Sequence, residues 1–165
     1  MYHSPRHFVE KEWFSKATIK AYTKRGKIDP QIWRLVDSRI TWTMDAIRDH
    51  FGCSVVMNDY LWGGKNQNRG YRDPIELIDK DLLLSELGEV IQPCFSSFGS
   101  QHCLGQAADS KLTKYSAKEV RDDIRKYPNA RRYRFITCVE RKISWLHIDC
   151  RNWEKSQSGI LFVNP

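Results

Sequence analysis

Ser100-Gln101-His102-Cys103-Leu104-Gly105-Gln106-Ala107-Ala108-Asp109 sets a histidine and an aspartate seven residues apart, with a glycine and two alanines between them. An imidazole nitrogen and a carboxylate oxygen on so slim a backbone are part of a donor set that suits zinc. Gly105 permits a reversal at positive φ. Ala107 and Ala108 can lie close under a metal or a neighbouring strand, so both polar side chains can enter one cavity. Two ligands do not make a site. Zinc takes three protein ligands and an open position for catalysis, or four for a structural role. The motif therefore asks for at least one further ligand, and taken alone it is equally well described as a loop with a solvated histidine and aspartate.

The element that supplies the third donor is in the last third of the chain, which reads as β structure. Arg132 to Val139 alternates, with Tyr133, Phe135, Thr137 and Val139 on one side. Glu140-Arg141-Lys142 reads as a turn, and Ile143 to Arg151 returns as the second arm of a hairpin. Period-two geometry on that arm puts Leu146, Ile148 and Cys150 on one face and Trp145, His147, Asp149 and Arg151 on the other. His147 is thus displayed from a strand beside an acid. A lone strand histidine is more often a hydrogen-bonded structural residue, but this His-x-Asp pair follows the His102 motif by about 40 residues and fits the missing ligand.

Upstream elements frame these two segments. Residues 8–25 carry Phe8, Val9, Trp13, Phe14, Ile19 and Tyr22 among charges, which predicts one or two short helices ending at Lys24-Arg25-Gly26. Asp29-Pro30 is a helix start, with Asp as N-cap and Pro in the first helical position. The series Val36, Ile40, Met44, Ile47 and Phe51 marks the buried stripe of a long helix closed by Gly52. Residues 53–58 read as a short buried strand and residues 59–74, rich in Gly and Asn, as a long loop, a type of segment that is often functional. In it, Trp62 and Tyr71 are larger than a solvated loop needs, and Arg72 is either a carboxylate clamp or an ordinary surface arginine. Residues 75–91 suggest another helical stretch, closed by Pro93. Ser116 and Glu119 form a capping box for a helix that turns Val120, Ile124 and Tyr127 to the core and ends at Pro128.

Taken together, Ser100-x-His102-x-x-Gly105-x-Ala107-x-Asp109 and Trp145-x-His147-x-Asp149-x-Arg151 resemble the peptidase M15 group of zinc peptidases. That group includes D-alanyl-D-alanine carboxypeptidases and the L-alanyl-D-glutamate endopeptidases of phage endolysins, and it shares a fold with the Hedgehog signalling domain. The likeness covers about residues 30–151, with Trp62-Gly63-Gly64 and Arg69-Gly70-Tyr71-Arg72 standing ahead of the Ser-x-His motif as in the carboxypeptidase-like branch. It implies an α+β domain, a small mainly antiparallel sheet with packed helices. It also implies one zinc per chain on His102, Asp109 and His147, with Arg72, Ser100 and Trp145 on the substrate side. Arg72 matches the arginine that binds a substrate carboxylate or the tetrahedral oxyanion.

One position departs from the pattern. Several members of the group carry the catalytic acid three residues before the last ligand, where this chain has Ser144. Glu140 and Asp149 are the two nearby acids that can take over as general base. Glu140 is favoured, because its longer side chain reaches across from the facing arm. The expected activity is hydrolysis of peptidoglycan stem peptides or cross-links by an endolysin or virion-associated enzyme. The alternative is an inactive zinc-containing binding module of a phage particle.

Composition is consistent with either role. The 165 residues predict a single domain able to bury a core without staples. A net charge of +7, spread along the chain, favours a polyanionic partner such as a bacterial wall, while no motif supports a specific nucleic-acid target. Five cysteines with no C-x-x-C pair argue against a disulfide framework and a zinc ribbon, and are expected to be buried thiols that do not bind metal. No signal peptide or membrane-inserting segment is read at the N-terminus. The expected location is thus the cytoplasm at synthesis and the wall after release through a lysis pore or as part of a virion, with the protein acting as a monomer.

Overall fold

The computed structural model describes residues 4–66, 68–74, 100–153 and 159–165. The helical stretch read over residues 75–91 lies outside the described residues, as does Cys94.

Two short helices, α1 (Glu10–Trp13) and α2 (Lys16–Ala21), open the chain, and the Ser15 side chain caps the second by accepting from the Thr18 N–H. The helical reading of residues 8–25 holds only to Ala21. Arg25 and Gly26 both take positive φ and turn a two-residue hairpin between β1 (Thr23–Lys24) and β2 (Lys27–Ile28), the geometry that matches strand twist. The long helix read from Asp29 to Phe51 is two elements. Asp29 caps a short 3-10 helix, Pro30–Leu35, whereas Asp37 caps α3 (Ser38–Phe51) by accepting from the Arg39 N–H. Within α3 the predicted stripe is correct at Ile40, Met44 and Ile47, all buried, while Phe51 is only half-buried. Trp33 packs edge-on against Trp13 and Phe14, with ring centroids 6.0 and 5.2 Å away, and joins the N-terminal helices to the core.

Five strands form the main sheet: β3 (Val55–Val56), β4 (Ala107–Leu112), β5 (Cys138–Glu140), β6 (Leu146–Asp149) and β7 (Leu161–Val163). Their order is β3-β4-β6-β5-β7, antiparallel throughout except for the β5–β7 pair. The architecture is α+β. Leu146 and Ile148 of β6 are fully buried on the core face, as period two requires, and burial of a side chain that size stabilises by about 1.5–3 kcal/mol.

Helix α4 (Ala117–Lys126) begins with the predicted Ser116–Glu119 capping box and buries Val120 and Ile124. Tyr127 does not face the core. It follows the last helical residue, outside the helical stripe, and is 45% exposed. Residues 132–137 are not a strand either. A 3-10 helix, Arg131–Tyr133, buries Tyr133 and then Ile136, a spacing of three, and the ladder begins only at Cys138. No helix among the described residues is long and apolar enough to cross a membrane.

Candidate metal centre

The site is built on the β4–β6 pair. Their register sets Asp109 directly opposite His147 and Ala108 opposite Ile148. Cross-strand neighbours on one face approach closely. Asp109 and His147 therefore meet on the polar face, with Asp109 Oδ1 2.7 Å from His147 Nδ1, while Ala108 and Ile148 close the core behind them. The alternation read for residues 145–151 is correct at each inward position, since Leu146, Ile148 and Cys150 all lie in the core.

His102 enters from the turn before β4. Gly105 makes that turn at φ 67°, as its position in the motif predicts, and an added Cβ there would lie 2.1 Å from the Leu35 carbonyl oxygen. His102 is 4% exposed, and its Nδ1 lies 2.7 Å from the Gly70 carbonyl oxygen. A carbonyl only accepts, so Nδ1 carries the proton and Nε2 keeps its lone pair for the site. That Nε2 is 3.5 Å from Asp109 Oδ2.

The segment supplying the Gly70 carbonyl is itself held in place. Tyr71 N–H donates to the Trp13 carbonyl at 3.0 Å, and a Cβ on Gly70 would meet that same oxygen at 2.4 Å. Asn58 accepts from the Arg69 N–H and donates to the Phe14 carbonyl. On the other side the Asp109 N–H donates to the Arg69 carbonyl at 2.8 Å. Residues 69–71 are thus wedged between the N-terminal helices and β4, and this fixes the His102 tautomer.

The three ligand atoms lie within 4.8 Å of one another, and all three residues are buried. This group can hold a metal ion. Its charge behaviour agrees. Burial alone would raise the Asp109 pKa, but the His102 and His147 imidazoles beside it, His147 through a hydrogen bond at 2.7 Å, hold it well below the usual carboxylate range. Burial opposes charging His147, yet its hydrogen bonds to Asp109 and Asp149 outweigh that and push it up to about 9. Without a metal, a proton on His147 balances the buried carboxylate.

The remaining predicted residues are gathered around the ligands. A cavity of about 260 Å³ is lined by Arg72, Ser100, Glu140 and Trp145 together with the ligands. Glu140 Oε1 is 3.9 Å from His147 Nε2, and the Glu140 side chain is 22% exposed, open to the cavity. Asp149 is fully buried and its oxygens are already engaged, accepting from Arg151 N–H and Nε at 2.8–3.1 Å, with Oδ2 also 3.4 Å from His147 Nε2. Arg72 donates from Nε to the Asn68 carbonyl at 2.8 Å, and its NH2 group stands 3.6 Å from Asp109 Oδ2. Ser144 is exposed and does not line the cavity.

Cys103 is not in the ligand group, and burial raises its thiol pKa. All four described cysteines are free and buried.

Sequence reasoning missed Gln101, which lines the cavity and keeps Oε1 buried without a partner among the described residues, and Arg121. Arg121 is a buried cation on α4 that donates to the Ile143 and Trp145 carbonyls at 3.0 Å and so anchors the lip of the cavity. Nothing in their spacing marks either residue, because both act through tertiary contacts. Comparison with protein-family models, curated proteins and solved structures finds no match for this chain.

Proposed function

We propose that the chain is a zinc-dependent peptidase acting on bacterial peptidoglycan peptides, of the D-Ala-D-Ala carboxypeptidase or L-alanyl-D-glutamate endopeptidase type, with a Hedgehog-like arrangement of its sheet. The observation that carries this reading is the buried convergence of His102, Asp109 and His147 beside a partly open Glu140 and Arg72. Two imidazoles and one carboxylate suit zinc better than hard cations that favour all-oxygen sites. When bound there, zinc supplies Lewis acidity toward a peptide carbonyl and toward water. The protein residues then have separable tasks. His102, with Nδ1–H fixed on the Gly70 carbonyl, and His147, backed by Asp149, hold their rings in orientation. Glu140 takes a proton from the attacking water and returns it to the leaving amine. Arg72 binds a substrate carboxylate or the oxygen that gains charge.

Asp149 is a positioning group rather than the base, because Arg151 already occupies its oxygens. The wall is the expected place of action, reached after release from the cell or on a virion, and the net charge of +7 favours that polyanionic target. A second reading, a zinc-containing binding module without turnover, draws on Ser144 standing exposed where related enzymes carry their acid. Metal analysis combined with mass spectrometry of digested muropeptides decides between the two. Stoichiometric zinc with released peptide fragments supports the peptidase; stoichiometric zinc with intact muropeptides supports the module; no zinc removes both.

A further inference from the structure

Residues 125–134, which run from the end of α4 through the following 3-10 helix, contain five cations, Arg125, Lys126, Arg131, Arg132 and Arg134, and no acid. Two of the five are neutralised from α4 itself, Arg125 by Asp122 at 3.0 Å and Arg132 by Asp123 at 2.9 Å. Lys126, Arg131 and Arg134 are exposed and make no ion pair among the described residues. None of the five lines the metal-centre cavity or the second cavity, of about 510 Å³, that shares Arg72, Asp109 and Trp145 with it.

Aromatic rings are interleaved with these cations. The Lys126 ammonium and the Arg132 guanidinium stand 5.0 and 5.5 Å from the centre of the Tyr127 ring, and Tyr127 is 45% exposed. Arg134, two residues beyond Arg132, lies over Trp42 of α3 at 4.5 Å and over Phe135 at 4.3 Å. Phe135 in turn meets Trp42 and Trp153 edge to face, with ring centroids 5.2 and 5.1 Å apart. Trp42, Phe135 and Trp153 are each only partly buried, and none belongs to the hydrophobic core.

A run of like charge is ordinarily no more than a solvated face. Such a face needs no rings, and large aromatics left outside the core keep apolar surface in water. A guanidinium stacked on a ring has its plane held in place and its edge N–H groups free for an anion. The ligand that matches this array alternates negative charge with flat apolar faces. An acidic protein or an anionic wall polymer would meet the cations and leave the rings idle. A nucleic-acid strand presents phosphates to the first and base faces to the second, and only an unpaired strand has those faces open.

We propose that the surface between Tyr127 and Trp153, centred on Arg131 and Arg134, binds single-stranded nucleic acid through phosphate charge and base stacking, without regard to sequence. It is separate from the metal centre and stands or falls independently of the peptidase reading.

The full chain is titrated with a fluorescent oligothymidine of about twelve nucleotides and with an abasic strand of the same length and charge. The wild type is expected to hold the oligothymidine about tenfold more tightly, the scale of one base stacked on an aromatic ring, and to lose affinity for both strands steeply as salt is raised. Tyr127→Ala should narrow the gap between the two strands. The double variant Arg131→Gln/Arg134→Gln should weaken both about tenfold or more and flatten the salt dependence. Failure to bind oligothymidine at low salt, equal affinity for the abasic strand, or full affinity in the double variant would each overturn the proposal. Tighter binding of a polyglycerol phosphate of equal charge would also overturn it and give the face to a wall polymer. If the double variant melts low, Arg131→Gln alone is read by the same criteria, since Arg131 is exposed.

Discussion

The candidate metal centre has a ladder half and a loop half, and the two are positioned by different physics. Asp109, His147, Asp149 and Glu140 stand on β4, β6 and β5, where backbone register alone decides which side chains meet. A slip of one residue would turn every one of them to the opposite face, so burial of Leu146 and Ile148 locks the ligands as firmly as it locks the core. His102 and Arg72 come from turns and loops, and no ladder fixes them. They are oriented by loop carbonyls, Gly70 against His102 Nδ1 and Asn68 against Arg72 Nε, and both also approach Asp109, at 3.5 and 3.6 Å. The division suits the proposed chemistry, since metal-ligand geometry tolerates little error while contacts to a substrate tighten on binding.

Removing a ligand from the loop half should have the largest effect. His102→Ala is expected to abolish stoichiometric zinc, as read by elemental analysis, while the ladder pair Asp109–His147 stays in register. Retention of full zinc would mean that the loop half is not part of the metal site. Next in size is Glu140→Gln on the ladder, which keeps shape and removes the basic carboxylate. Zinc content should be unchanged and muropeptide cleavage should fall by about 10²–10⁴-fold, the usual share of a general base. A fully active variant would end that assignment.

Asp149→Asn should act on the metal rather than on the turnover. Loss of the charge behind His147 is expected to weaken zinc about 10–100-fold in a chelator competition, with activity restored at saturating zinc. If activity stays lost with zinc bound, Asp149 takes part in the chemistry. The smallest effect concerns the metal-free chain. His147 is raised above its ordinary 6.5 to about 9, so its stabilising share is fully present below pH 6.5 and is lost as pH rises through 9. Asp109, held low, stays ionised across that window and adds no pH dependence there. The melting temperature of the metal-free protein should therefore fall between these limits, and fall less in His147→Gln.

The same division explains what could be read from the amino acids. The outward face of β6 was legible because Leu146, Ile148 and Cys150 alternate cleanly with polar residues. Helix α4 announced itself through the Ser116–Glu119 box. Strand β4 did not, because Ala107, Ala108, Asp109 and Ser110 are all buried and offer neither alternation nor β-branched residues. Tyr133 and Phe135 imitated a strand period in a segment whose buried residues, Tyr133 and Ile136, are three apart. The break between the 3-10 helix and α3 lay in Asp37, a second cap inside an apolar series that looked continuous. The three candidate ligands, which the structure brings together, were visible through their spacing. The carbonyl that orients His102 and the second cavity were not, since both arise where the loop folds against distant segments.

The seating of residues 69–71 on Trp13 bears on where this unit can be cut. The motif likeness begins near residue 30, yet the carbonyl of Trp13 holds Tyr71, and the adjoining Gly70 carbonyl holds His102. A fragment trimmed to the recognisable motifs would keep all three ligands and lose the abutment against which one of them is set. The smallest portable version of this centre therefore includes helix α1, although that helix contributes no atom to the site.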